Sequence, residues 1–254
     1  DLRSEEVALR DTAVGRLENF LVRYPRSSHT PHAMFLLGDL YYEESEEAFA
    51  EASDAYERIF EEGADALDDA PEPPMRDHGR AVRLFRGISE MFPDYGNADG
   101  AWYMLGFIHK RDETLQADDY AGRDAYLALV ENHPKSDFAA AAHMALGEHF
   151  FDNHKIDLAI ENYTKVVDDF GSDGQHYEKG LYKLAWSHYK LSNYDRGMSL
   201  LAKLLDWSEE FFLRTGKRSA MAPEAIEYTA ISFSDLADQD GTSPVAVAKA
   251  FYSR

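Results

Sequence analysis

Residues Ala142–Gly171 read AHMALGEHFFDNHKIDLAIENYTKVVDDFG, and this stretch decides the fold. Its first half carries small and large apolar residues at helical spacing around Leu146-Gly147. In its second half Ala159, Tyr163 and Val166 stand 11, 7 and 4 positions before Phe170, offsets that share one face of a helix. Gly171 then stops the pattern. The same two-part arrangement recurs along the chain. Tyr24-Pro25, Phe92-Pro93, His133-Pro134, Phe170-Gly171 and Trp207-Ser208 each end a helical pattern. Ala33…Leu37-Gly38, Ala101…Leu105-Gly106, Ala142…Leu146-Gly147 and Gly180…Leu184-Ala185 follow the first four. Self-similarity at this spacing, with two helices per unit, predicts a helical solenoid.

The second helix of each unit places a small residue, Ala13, Ala81, Gly122, Ala159 or Arg196-Gly197, eleven positions before its end. Leu17, Phe85, Tyr126, Tyr163 and Leu200 follow at seven, and Phe20, Ile88, Leu129, Val166 and Lys203-Leu204 at four. The first helix sets Met34, Trp102, His143 and Leu181 ahead of the Leu-Gly (or Leu-Ala) pair, with Tyr41, His109, Phe150 and His188 one turn after it. A glycine inside a helix costs roughly 1 kcal/mol relative to alanine. Its recurrence at one position implies close helix packing there.

The order W-x2-L-G-x2-Y, then A-x3-F, then P, resembles the tetratricopeptide repeat. Ala101-Trp102-Tyr103-Met104-Leu105-Gly106 is its best copy, and Leu146-Gly147…Ala159…Tyr163…Gly171 keeps its spacing through a whole unit. The resemblance spans roughly residues 11–44 and 78–208 and implies an all-α, right-handed superhelix of antiparallel helix pairs with no catalytic activity. Units of 37–41 residues depart from the usual 34 and are similar to those of bacterial cell-envelope proteins of this type. These include the lipoprotein partner of the outer-membrane β-barrel assembly machine, the Tol–Pal-associated coordinator and the large periplasmic proteins of gliding bacteria. The resemblance therefore implies a periplasmic or outer-membrane-associated setting, with a cytoplasmic one as the alternative.

The expected organisation is a single solenoid segment of a longer array. Its units are about 11–44 with an insertion at 45–77, then 78–115, 118–152, 155–190 and 193–236. The insertion reads as one long helix, or two collinear ones meeting near Ser45, running to about Glu62. Its apolar stripe of Ala48, Ala52, Ala55, Tyr56, Ile59 and Phe60 is expected to dock on neighbouring helices. The run from Asp65 to Pro74, acidic and containing Pro71, Pro73 and Pro74, breaks any helix. A decayed repeat is the alternative reading of this region. Residues 4–24 read as a second helix without its partner, Ala222–Leu236 as a first helix after an insertion at Glu209–Met221, and Val245–Tyr252 as a further helix.

Among 254 residues, 47 are Asp or Glu and 26 are Lys or Arg, giving a formal charge of −21. That field opposes nucleic acid and anionic membrane surfaces, and it favours a partner with a basic segment. Service to solubility alone is the alternative. No apolar run is long enough to span a bilayer, and with no cysteine there are no disulfides, thiol catalysis or thiolate metal sites.

No motif points to an enzyme, a metal or a cofactor. His143, His149 and His154 lie close together, but positions six apart face different sides of a helix and the H-E-x-x-H spacing is absent. His109, His143 and His188 occupy packing positions, and His133 ends a second helix. Neither Asp168, Asp169, Asp173-Gly174 nor Asp235, Asp238, Asp240-Gly241 has the spacing of a calcium loop.

The remaining face of each first helix is more informative. Phe35, Asp39 and Tyr42; Tyr103, Phe107 and Lys110; Met144, Glu148 and Phe151; and Tyr182, Trp186 and Tyr189 form i, i+4, i+7 stripes. The resemblance places such positions on a concave groove. Eight of the twelve are aromatic, where a solvated face should be polar, and lines of aromatics serve partner binding. Burial between helices is the competing reading. The expected function is a non-catalytic scaffold binding a protein or peptide in this groove; a structural spacer or self-assembling array is the alternative.

Overall fold

The computed structural model describes residues 2–61, 72–112, 115, 121–172 and 174–253. Residues Asp65–Pro71 of the acidic run, Asp173 and the Phe60 side chain lie outside the described set. Among the described residues every regular element is an α-helix. The chain divides into two compact units, Asp1–Phe138 and Ala139–Arg254.

The first unit holds α1 (Leu2–Arg23), α2 (Thr30–Glu61), α3 (Gly79–Met91), α4 (Ala98–Arg111) and α5 (Ala121–Asn132). The second holds α6 (Ala139–Asp152), α7 (Ile156–Asp169), α8 (Tyr177–Lys190), α9 (Tyr194–Thr215), α10 (Ala222–Asp240) and α11 (Pro244–Tyr252). Within each unit every helix packs on the next in sequence. Helices packed in adjacent pairs agree with the all-α solenoid read from the sequence.

Two short connectors recur for physical reasons. After α1 and α3, proline removes a backbone donor and ends the helix. The chain then makes two successive three-residue turns. Ser27 N donates to Tyr24 O and Thr30 N to Ser27 O; Tyr95 N donates to Phe92 O and Ala98 N to Tyr95 O. After α7 the same turns run through Gly171, Gly174 and Tyr177, displaced by one residue because Gly171 takes a left-handed conformation at φ 76°. Between α6 and α7, and between α8 and α9, the tight turn holds a non-glycine residue at positive φ, His154 and Ser192, both at 57°.

The interior follows the small-residue register. Gly38 lies against the Phe85 ring, Gly106 against Tyr126 and Gly147 against Tyr163. In the fourth pair the glycine position is Ala185. The aromatic position, four residues after Gly197 as Tyr126 is after Gly122, is Leu201 and not the Leu200 counted back from Trp207. Ala185 and Leu201 are both buried and line one small cavity with Gly197. A shorter side chain on one helix leaves room for one more carbon on the other.

Two expectations need correction. Trp207-Ser208 does not end a helix: α9 runs on to Thr215 and stops at Gly216, φ 71°. No proline or glycine follows Trp207, so nothing breaks the ladder before Gly216. The apolar stripe of the long α2 is also not docked. Ala48, Ala52, Ala55 and Ile59 are exposed and only Tyr56 is half-buried. Alanines bury too little area to hold a helix down. The extension is pinned instead near its base by polar contacts. Arg10 grips Glu47 through two hydrogen bonds of 2.7 and 2.6 Å, Arg80 pairs with Glu44, and Arg76 reaches Glu46 at 3.1 Å.

A buried polar knot sits beside these contacts. His78 and Asp112 are both fully buried. Asp112 Oδ2 accepts from the His78 backbone N–H at 2.8 Å and lies 3.0 Å from its Nδ1, while Nε2 lies 3.0 Å from Glu46 Oε1. The knot ties α2, the segment before α3 and the end of α4 together.

Candidate protein-interaction surface

In the first unit the spacing of four and three residues brings Phe35, Asp39 and Tyr42 onto one face of α2, and Tyr103 and Phe107 onto one face of α4. The two helices meet through Tyr42 and Phe107, whose ring centroids are 6.1 Å apart and tilted by 61°. Along α4, Tyr103 stacks on Phe107 at 6.1 Å and, beyond it, on Phe138 at 4.8 Å. Phe35 meets Phe85 edge-on at 5.5 Å and lies 6.5 Å from Tyr95. Tyr42 stacks on His78 at 5.0 Å. Offset and edge-to-face contacts of this kind add stability beyond the area they bury. Lys110 is exposed at the end of the row.

Phe35, Tyr42, Tyr95, Tyr103 and Phe107 are half-buried and Phe138 is exposed, so these rings both pack and face outward, while Phe85 and His78 beneath them are fully buried. Burial raises the pKa of the Tyr42, Tyr95 and Tyr103 hydroxyls. Asp39 lies half-buried in the same row. Burial, and then the neighbouring Glu43, push its carboxyl up to about 6.

In the second unit Tyr182, Trp186 and Tyr189 share one face of α8. Trp186 stacks on Tyr189 at 4.9 Å with the rings 6° from parallel, and meets Tyr228 of α10 at 4.5 Å. Tyr182 lies 6.1 Å from Tyr228. The Tyr189 hydroxyl donates to Asp235 Oδ2 at 2.5 Å, and that bond, followed by burial, pushes its ionisation to about 12. Burial, then a hydrogen bond to Glu224, raises that of Tyr182 further still. The rings close on one another: the cavity they share with Gly197 and Leu201 is about 10 Å³, no more than a single water needs. This face is a wall, not a pocket.

The α6 stripe departs from expectation. Met144 is 4% exposed and belongs to the interior, not to a binding face. Glu148 is held at 2.6 Å by Lys179, and Phe151 is half-buried. One helix face wide enough to bury Ala142, Met144, Leu146 and Phe150 leaves less of α6 outside.

Four contributors escaped sequence reading: Tyr95, Phe138, His78 and Tyr228. The first three sit in connectors, where periodicity carries no information. Tyr228 was legible in principle, since Glu224, Tyr228 and Asp235 follow offsets of four and seven on α10. The histidines pack as their repeat positions suggest. His143 Nδ1 lies 2.9 Å from Asn162 Oδ1, and burial lowers the proton affinity of His143 and His188.

A second concavity lies where the extended α9 meets α10. Leu205, Phe212, Ala222, Pro223 and Ile226 line an open cleft of about 500 Å³ together with Glu209 and Arg218. Ser219 and the Met221 backbone N–H both donate to Glu178 of α8, which fixes the loop that closes one end.

Among the described residues no helix is long and apolar enough to cross a membrane. No curated protein matches the chain. Residues 179–206, most of α8 and the first part of α9, match the tetratricopeptide repeat model. That match, together with helices packed in adjacent pairs around a repeated Leu-Gly position, supports the tetratricopeptide repeat family and with it a role as a protein–protein interaction scaffold.

Proposed function

We propose that the chain binds a protein or peptide segment carrying basic residues along the aromatic faces of its first helices. The observation that carries this reading is the row Tyr42–Phe107–Tyr103–Phe138, four rings in mutual contact on the half-exposed side of the first unit. Rigid stacked aromatics give large contact area at little entropic cost. The wall of Tyr182, Trp186 and Tyr189 is the counterpart in the second unit. A charge of −21 steers cationic partners toward either face. The bacterial envelope setting rests on the 37–41-residue repeat spacing alone and is part of the same proposal.

The test is selection of peptides from a random display library against the folded chain. Enriched peptides should be rich in Lys or Arg next to apolar residues. Phe107→Ala with Tyr103→Ala, or Trp186→Ala, should weaken them by roughly tenfold or more. Leu9→Ala and Leu213→Ala, at exposed positions off both faces, should leave binding unchanged. Affinity should fall with added salt. Equal losses at on-face and off-face positions would defeat the reading.

A further inference from the structure

The long helix α2 holds two arginines in one recurring way. Arg76 stands 3.8 Å over the Phe49 ring while its Nε reaches Glu46 at 3.1 Å. Arg80 stands 3.9 Å over the Tyr41 ring while it pairs with Glu44. In both, a carboxylate and an aromatic ring three residues apart on α2 receive one guanidinium. The ring supplies a face for its flat cation and the carboxylate supplies charge.

A third copy of this spacing lies two turns before the Glu46–Phe49 pair on the same helix. Asp39 and Tyr42 are three residues apart, with Phe35 four residues before Asp39 on the other side. Among the described residues Asp39 makes no hydrogen bond and no ion pair. Phe35 and Tyr42, which share its helix face, and Glu43 and Tyr95, which it meets electrostatically, offer no cation. Other carboxylates along the two faces are engaged: Glu46 by Arg76 and Arg111, Glu148 by Lys179, Asp235 by Tyr189. Asp39 thus retains the cost of partial desolvation without the compensation its equivalents receive.

We propose that Asp39, flanked by Phe35 and Tyr42, receives one arginine side chain of the bound partner, completing the arrangement that Arg76 and Arg80 complete from within the chain. This rests on the reading of the first unit's aromatic row as a binding face, and it names the residue chemistry that face selects. Arginine is favoured over lysine because both internal examples use the planar guanidinium, which stacks and pairs at once. The raised pKa of Asp39, caused by burial and then by Glu43, agrees with a carboxylate short of a counter-charge.

The experiment uses the folded chain with N-acetyl-arginine amide as the probe and N-acetyl-citrulline amide as its neutral isostere. Carbon-detected NMR follows the Asp39 carboxylate and the Phe35 and Tyr42 rings. The arginine probe should move these resonances saturably, with citrulline weaker by roughly tenfold or more. Asp39→Asn should abolish the difference between the two probes, while Asp157→Asn, at an exposed position on α7, should preserve it. Equal response to both probes, shifts centred elsewhere, or an unchanged preference in Asp39→Asn would overturn the site. A selected peptide lost on Phe107→Ala but indifferent to Asp39→Asn would remove this site and leave the binding face standing. Indifference to both would remove the face as well.

Discussion

The Tyr163 ring occupies the space that a side chain on Gly147 would need: a Cβ there would lie 2.4 Å from Tyr163 Cε1. The same contact joins Gly106 to Tyr126 at 2.7 Å and Gly38 to Phe85 at 2.9 Å. It explains why the repeat keeps glycine in mid-helix, where propensity opposes it, and why Ala185 is tolerated opposite Leu201.

Gly147→Ala should therefore destabilise the chain by roughly 1–3 kcal/mol through overpacking, despite alanine's better helix propensity. Gly15→Ala is the control. Nothing lies within 4 Å of a Cβ at Gly15, so there the substitution should stabilise by about 0.5–1 kcal/mol. In a Tyr163→Leu background, which copies the Ala185–Leu201 pair, the cost of Gly147→Ala should shrink. Urea melts of the four variants close the double-mutant cycle, and additivity would contradict direct contact.

The Tyr163 hydroxyl is buried and finds no hydrogen-bond partner among the described residues. A buried hydroxyl left unpaired costs roughly 1–3 kcal/mol. Tyr163→Phe should accordingly fold with equal or greater stability, whereas Tyr189→Phe, which loses the bond to Asp235, should be less stable than wild type. The comparison needs only thermal melts at neutral pH.

Asp39 supplies a pH prediction with a definite sign. Its carboxyl is raised from 3.8 to about 6, so the folded state holds the proton more tightly than the unfolded chain. Its contribution to stability is therefore unpenalised below 3.8 and declines as pH rises through about 6. Asp39→Asn should raise the melting temperature at pH 7–8 (about a unit or more above its ionisation), and the gain should vanish below 3.8. A gain independent of pH would place its origin elsewhere. The same variant should lose its preference for arginine over citrulline, so that stability and recognition move in opposite directions.

Asp112→Ala deprives two buried donors of His78, the backbone N–H and Nδ1, of one acceptor. At roughly 1–3 kcal/mol for each unpaired group, this should be among the more damaging substitutions in the first unit. Hydrogen exchange should show the loss concentrated where α2, α3 and α4 meet. Glu90→Ala, at an exposed position on α3, should be nearly silent by comparison.

Helix type, the pairing of consecutive helices and the glycine-against-aromatic register of Gly38–Phe85, Gly106–Tyr126 and Gly147–Tyr163 were legible in the chain itself. Those features arise from local rules: 3.6-residue periodicity, proline and glycine at stops, and a small residue wherever two backbones approach. The aromatic stripes of α2, α4 and α8 were legible for the same reason, because side chains at i, i+4 and i+7 must share a face. Tertiary structure decided what lies opposite each face, which periodicity does not encode. It drew Met144 inward, left Ala48, Ala52 and Ala55 in solvent, and carried α9 past Trp207. It also brought Tyr95 and Phe138 from connectors onto the aromatic row, and it buried His78 between two carboxylates. Asp39 shows the division most clearly. Its place on the face of α2 follows from counting residues, but its lack of a counter-charge depends on which helices pack around it, and only the fold determines that.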